Sequence, residues 1–336
     1  MRTDLQTLLD TRAWILADGA TGTNLFNAGL EAGEAPELWN VDRPDAVRAL
    51  YRGAVEAGSD LFLTNSFGGT SARLKLHDAQ DRVYELNRAA ATLGREVADA
   101  AERPVVVAGS MGPTGEILEP VGALSIADAA AMFAEQAHGL VDGGADVLWV
   151  ETISAPEELQ AAALGIADVG APWACTMSFD TAGRTMMGVT SEAMVQLVAD
   201  LPHQPLAFGA NCGVGASDLL RTVRGMSLAA PGLPLIAKGN AGIPKFHDGH
   251  IHYDGSPELM ADYAALALDT GARIIGGCCG TGPEHLKAMR ARLETHHNAE
   301  GVPGLDVIAS LLGGYSSPSD GIGGSPVRRE RRRRRG

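Results

Sequence analysis

The sequence predicts a (β/α)8 barrel, and three observations predict it. Eight short apolar runs recur along the chain, helical stretches separate them, and nearly every run ends in polar or glycine-rich sequence. Runs without alternation fit parallel strands buried on both faces, and regular strand–helix alternation fits a barrel. A doubly wound open sheet is the rival fold. It would concentrate functional sequence at one switch point, whereas a barrel mouth draws on the loops after many strands.

In chain order, the predicted strands are Trp14 to Ala17, Leu61 to Thr64, Val105 to Ala108, Val147 to Val150, Trp173 to Met177, Leu206 to Phe208, Leu235 to Ala237 and Arg273 to Ile275. They are followed by DGATGT, TNSFGG, GSMGPTGE, ET, ANCGVG, KGNAG and GGCCGTG, with no comparable motif after the fifth. Asp128 to Asp142 carries apolar residues at helical spacing and stops at Gly143-Gly144, while Ser256-Pro257-Glu258 opens another helix with a cap, a first-turn proline and an acid. From about Glu300 the composition turns to Gly, Ser and Pro. Residues 1–299 are therefore read as the barrel and 300–336 as a mobile, disordered tail.

The chain has 336 residues, 45% hydrophobic and 20% charged, enough apolar material for a large core. No run approaches a membrane span, and the first ten residues lack the apolar core of a secretory signal, so a cytoplasmic location is expected and no membrane association. The formal net charge is -14, yet residues 328 to 336 (RRERRRRRG) contribute +6 of their own and leave -20 on the body. An acidic body excludes nonspecific nucleic-acid binding as the main activity. The Arg run reads as a solvated solubility tail, with RNA, anionic membrane or the acidic body itself as alternative partners. Oligomeric state is left open.

Four cysteines are too few for a disulfide framework. Cys212 follows the sixth predicted strand, and Cys278 and Cys279 follow the eighth, so a barrel could gather three sulfurs at its mouth across 66 residues of sequence. Three thiolates suit Zn²⁺ and leave one coordination position open, as in catalytic rather than structural sites. Buried apolar-like cysteines are the blander reading, and it is preferred for Cys175, inside a strand. A vicinal disulfide between Cys278 and Cys279 is a third reading. His247, His250 and His252 could form a competing metal site, though an exposed polar loop explains them better.

ANCGVG around Cys212 and GGCCGTGPEHL around Cys278 and Cys279 closely resemble the homocysteine S-methyltransferase family, and DGATGT, TNSFGG, MGPTGE and VETI resemble its other motifs in the same order. The resemblance covers roughly residues 12 to 295. It implies a zinc-containing barrel that transfers a methyl group to the homocysteine thiol in methionine biosynthesis. A free thiol is only a few per cent ionised at pH 7, so coordination would raise the thiolate fraction about thirtyfold, worth ~2 kcal/mol. The nucleophile is then the substrate's own zinc-activated thiolate, and no side chain is assigned as acid or base.

Homocysteine also presents an ammonium and a carboxylate. Asp18 and Glu151, acids at predicted strand ends and in motifs where the resemblance places substrate-binding acids, are the candidates for the ammonium. Thr64 and the backbone N–H groups of Gly19 and Ala20 are the candidates for the carboxylate. The plainer readings are an Asx-turn for Asp18, a supporting acid for Glu151 and an ordinary strand-end residue for Thr64.

The chain looks most like the short bacterial betaine-homocysteine S-methyltransferases, which implies betaine as donor and dimethylglycine as co-product. S-methylmethionine, S-adenosylmethionine or a methylcobalamin protein docking on the mouth are the alternatives; the last would make this chain the homocysteine-activating part of a split methionine synthase. Animal-type betaine enzymes are expected to have tyrosines where this chain has Gly68 and Thr152, and aromatic faces are the usual hosts for quaternary ammonium. Phe67 and Trp39 are possible substitutes, each read first as core. A reading of another class is a barrel that binds zinc or thiols without turnover.

Overall fold

A computed structural model describes residues 2–242, 245–247, 250–299, 301–319 and 321, with side chains outside 243–252. The side chains of His247, His250 and His252 and the Arg-rich run lie outside the described residues.

All eight predicted strands form one parallel sheet. They are β1 (Ile15–Leu16), β2 (Leu61–Leu63), β3 (Val106–Met111), β4 (Val147–Ile153), β5 (Trp173–Met177), β6 (Ala207–Cys212), β7 (Leu235–Gly239) and β8 (Ala272–Gly277). Each pairs with its sequence neighbour from β2 to β8, and β8 pairs with β1. The remaining seam, β1 against β2, is closed largely by side chains because β1 is only two residues long. Leu16 N–H donates to the Asp60 carboxylate at 2.9 Å, Asp60 N–H donates to Leu16 O at 2.6 Å, and Leu63 N–H donates to Asp18 Oδ2 at 2.8 Å. Eight helices ring the barrel: α1 (Pro44–Glu56), α2 (Val83–Ala100), α3 (Ile126–Asp142), α4 (Pro156–Val169), α5 (Ser191–Ala199), α6 (Ala216–Ala229), α7 (Pro257–Asp269) and α8 (Pro283–Thr295). The anticipated Ser256 cap is present, its Oγ accepting from Leu259 N–H, and α3 starts two residues earlier than the sequence suggested, at Ile126, capped by Ser125 Oγ accepting from Asp128 N–H.

Strand alternation divides the core into two layers. Inward positions such as Ile15, Leu63, Val106, Ala108, Trp149, Ala174, Ala207, Ile236 and Ile274 fill the barrel, with small residues on β5 and β6 making room for Trp149. The N-terminal helix Leu5–Thr11 packs Leu5, Leu8 and Leu9 against this interior layer. Outward positions including Phe62, Val107, Leu148, Val150, Cys175 and Phe208 pack under the helices. Cys175 is fully buried there, as its strand position predicts.

The segment after residue 300 departs from expectation. Leu305–Leu312 is a helix that packs against α6 and α7 through buried Ile308 and Leu312. Beyond it, the Arg221 guanidinium lies over the Tyr315 ring at 4.5 Å and donates to Ser317 O at 2.7 Å, while Asp218 accepts from Ser316 N–H at 2.9 Å. The expectation of an unpacked tail from residue 300 is thus corrected over 305–317. LDVIASLL supplies an apolar stripe that the flanking Gly and Ser obscured. No helix among the described residues is long and apolar enough to cross a membrane.

Candidate active site and metal centre

Continuing the inward period of two past the apolar layer puts polar side chains at the carboxyl end of the barrel. Ala108 is followed by Ser110, Trp149 by Glu151, Ala174 by Thr176 and Ile236 by Lys238, and two further steps from Ala207 reach Asn211. Cys212 and Thr152 fall on the outward parity of Ala210 and Val150. Both have left-handed backbone, φ 61 and φ 64, and both nonetheless line the cavity at the mouth. Such backbone costs roughly 1–3 kcal/mol for a residue with a side chain and persists where neighbours enforce it. Asn211 is one enforcer: its Oδ1 accepts from Thr152 N–H at 2.9 Å and Thr176 Oγ1 at 2.7 Å, and its Nδ2 donates to Thr152 Oγ1 at 2.8 Å.

Cys278 and Cys279 arrive on the turn after β8. Gly277 permits it, since a Cβ there would sit 2.3 Å from Thr281 Oγ1. Asn240 ties the two cysteine turns together, donating to Gly213 O at 2.9 Å and accepting from Cys279 N–H at 3.0 Å. The three sulfurs lie within 4.8 Å of one another, with Cys212 and Cys279 4.0 Å apart. A tetrahedral zinc with Zn–S bonds of about 2.3 Å needs sulfurs about 3.8 Å apart, so the donor set and its spacing fit a thiophilic cation. Hydrogen bonds from Cys278, which lower it, are outweighed by Cys279 and by burial, and the Cys212 thiol is pushed up to about 11. Cys279 is likewise pushed up to about 12, its stabilising contact with Cys212 outweighed by Cys278 and by burial. Crowding therefore opposes three bare thiolates, which is the condition a divalent cation reverses.

The sulfurs open onto a cavity of about 350 Å³ that is also lined by Gly19, Ala20, Phe67, Gly68, Ser110, Glu151 and Thr152. Glu151 accepts from Ser110 Oγ at 2.5 Å. Burial raises its carboxyl above the usual range, the Lys238 charge and the Ser110 hydrogen bond counter it, and Asp18 adds to the rise. Lys238 is fully enclosed, with Nζ 2.5 Å from Asp18 Oδ1 and 5.9 Å from the centre of the Trp149 ring. Burial disfavours its charged ammonium form, but the Asp18 and Glu151 charges more than reverse this.

The sequence-predicted residues separate into two groups. Cys212, Cys278, Cys279, Glu151, Gly19 and Ala20 share one cavity. Asp18 and Thr64 are not on its walls. Both carboxylate oxygens of Asp18 are engaged, by Lys238 and by Leu63 N–H, and it borders a neighbouring space of about 240 Å³. Thr64 is 1% exposed, its Oγ1 accepting from Ser110 N–H at 3.0 Å and lying 2.6 Å from Ser66 Oγ, so it ties strand ends together. The Ala20 N–H donates to Thr281 O at 3.1 Å and is committed to the fold. Trp39 is core, stacked under Arg43, whereas Phe67 does reach the cavity. Lys238, Asn211 and Asn240 were missed. The signal for Lys238 was a charge two places beyond an inward isoleucine.

Fold and site together define a (β/α)8 barrel with a cluster of three thiols at its carboxyl mouth that could hold a soft metal. The profile of the homocysteine S-methyltransferase family matches residues 15–293, and the chain belongs to that family. It is 32% identical over 305 residues to the methionine synthase of Mycobacterium tuberculosis and 33% identical over 307 residues to that of Mycobacterium leprae. Each alignment covers 86% of this chain but 25% of the relative, so the chain spans a quarter of those proteins' length. Among solved structures, the metallated form of the homocysteine methyltransferase MmuM from Escherichia coli superimposes with a TM-score of 0.69 at 27% identity, covering 86% of this chain and 99% of that one.

Proposed function

We propose that the protein transfers a methyl group to the thiol of homocysteine, using zinc held by Cys212, Cys278 and Cys279 and betaine as donor. The observation that carries this reading is the placement of three sulfurs and the Glu151 carboxylate on the walls of one cavity. Zinc in this site supplies the substrate sulfur as a thiolate at neutral pH. Glu151 accepts the homocysteine ammonium; Ser110 holds its carboxylate in place, and the Lys238 charge opposes the rise that burial imposes on it. Gly19, on the wall of the same cavity, presents its backbone to the substrate carboxylate, while the Ala20 N–H stays with Thr281 O. Asp18 acts at one remove, as the counter-ion of Lys238 and the clamp between β1 and β2. The sulfur–methyl bond forms as the nitrogen–methyl bond breaks, and its electron pair remains on dimethylglycine. Opposite charges are neutralised in this step, so excluding water from the mouth favours it.

A split methionine synthase is the second reading, favoured by the match to a quarter of two methionine synthases. The deciding experiment is methionine formation from homocysteine and betaine by the zinc-loaded protein, with no cobalamin or partner present. Turnover is expected. Its absence with zinc verified moves the donor to a sulfonium compound or a corrinoid partner. Glu151→Gln is expected to raise the homocysteine KM at least about tenfold while leaving the betaine KM within twofold, since it removes one charge-assisted contact to the ammonium. An unchanged homocysteine dependence rejects the assigned role.

A further inference from the structure

The cavity that reaches the sulfurs has a second polar region, built from the segment before α1 and the loop after β2. Glu37, 5% exposed, lies on its wall, with Oε1 accepting from Gly68 N–H at 2.6 Å. Gly68 has no side chain, and a Cβ there would lie 3.0 Å from that oxygen. Among the described residues, no hydrogen bond engages Glu37 Oε2. Arg73 lines the same cavity, and its guanidinium has neither a hydrogen bond nor an ion pair within 4.0 Å among the described residues. Burial raises the Glu37 carboxyl, and its backbone hydrogen bonds and the charges of Arg73 and His77 only partly offset this.

A nearly buried carboxylate with one free oxygen is costly to keep unless a ligand completes it, and the half-buried guanidinium of Arg73 on the same wall is free to take an anion. The ligand that does so carries a positive centre and a carboxylate on one small frame. A methylated onium centre has no N–H or S–H to donate, so it is recognised by charge or by aromatic faces. Here Phe67 is the one phenylalanine, tyrosine or tryptophan on the cavity wall among the described residues, and Glu37 holds the N–H of the next residue, Gly68.

We propose that Glu37 and Arg73 select the methyl donor, Glu37 facing its onium centre and Arg73 taking its carboxylate, so that the enzyme accepts small onium carboxylates. This rests on the donor half of the proposed function and deepens it. The guanidinium fork binds a carboxylate through two parallel hydrogen bonds, which fixes the donor's long axis and with it the direction in which the methyl group points. Arg73 and Glu37 are thereby specificity residues, and neither takes part in homocysteine binding.

Equilibrium binding tests this without turnover. The probes are betaine and 3,3-dimethylbutanoate, which keeps the carboxylate and the shape but replaces the trimethylammonium by an uncharged tert-butyl group. Calorimetry on the zinc-loaded protein saturated with 2-aminobutanoate, which fills the amino-acid site but carries no thiol to methylate, is expected to show betaine bound at least about tenfold more tightly than the neutral analogue. Glu37→Gln, which keeps an acceptor for Gly68 N–H, is expected to bring that ratio to within about twofold of unity. Arg73→Gln is expected to weaken both probes at least about tenfold and leave their ratio and the zinc content unchanged. A preserved ratio in Glu37→Gln, unchanged binding in Arg73→Gln, or no binding of either probe to the parent overturns the assignment. If the parent shows the expected binding pattern yet forms no methionine from betaine, the donor reading falls while the selecting pair stands.

Discussion

Replacement of Cys212 by alanine is expected to lower zinc content from one ion per chain to below about 0.1 under dialysis and to reduce kcat/KM about 1,000-fold or more. The proposed centre has only three protein sulfurs and keeps its fourth position for substrate, so losing one leaves two donors, both on the turn after β8. Even supporting partners of metal ligands commonly contribute 10–100-fold, and a first ligand contributes more. Alanine is the informative choice because it retains a Cβ at φ 61 and so keeps the local backbone strain; glycine would relieve that strain and confound the result. Cys175→Ala is the matched control. Its sulfur is fully buried on the outer face of β5, away from the cavity, so zinc content should stay at one while stability falls by about 1 kcal/mol. Full zinc content and undiminished transfer in Cys212→Ala would remove the metal from the proposal altogether.

Much of this centre was legible in the sequence, for a physical reason. Cysteines in glycine-rich turns gain little from packing, and a barrel sends every strand end to one mouth, so Cys212 and Cys278 could be joined across 66 residues by topology alone. The eight apolar runs marked the strands because parallel strands are buried on both faces. Their ends were less clear, since β3, β4, β6 and β7 all continue into polar sequence that still pairs. That same continuation concealed Lys238 and Asn211: a charged or amide side chain at a strand end reads as a loop residue until the inward period is carried past the last apolar position. Thr64 misled in the opposite direction. A hydroxyl at a strand end is as easily consumed by neighbouring backbone as offered to a ligand, and the Ser110 N–H consumes this one. The helix at Leu305–Leu312 escaped because composition was averaged over a segment whose apolar stripe occupies eight residues.

The buried Lys238 carries the second large expectation. Lys238→Met should destabilise the fold by about 3–5 kcal/mol, because it leaves the Asp18 carboxylate, 6% exposed, without its cation and Glu151 without the charge that offsets its burial. Asp18 also clamps β1 to β2, so the loss should reach the seam of the barrel as well as the mouth. The double variant Asp18→Asn, Lys238→Met tests the coupling. Removing both charges together should recover at least about half of the loss, whereas independent sites would give additive destabilisation. The pH dependence has a definite sign. The folded-state carboxyl of Glu151 is already raised by burial, and losing Lys238 raises it further. A group whose folded pKa lies above its unfolded value contributes stability below the unfolded value and loses it as pH rises through the folded one. The deficit of Lys238→Met against the parent should therefore narrow as pH falls from 7 towards 5, measured by urea unfolding at each pH. A deficit that is constant across that range, together with simple additivity in the double variant, would show that Lys238 serves only as packing along the Trp149 face. The measured coupling would then assign the charge at the mouth to the bound substrate rather than to the fold. If the coupling is as large as the buried geometry requires, the homocysteine of the proposed reaction meets an acid whose charge is already balanced, and in that proposal its ammonium adds a second cation to Glu151 without displacing the first.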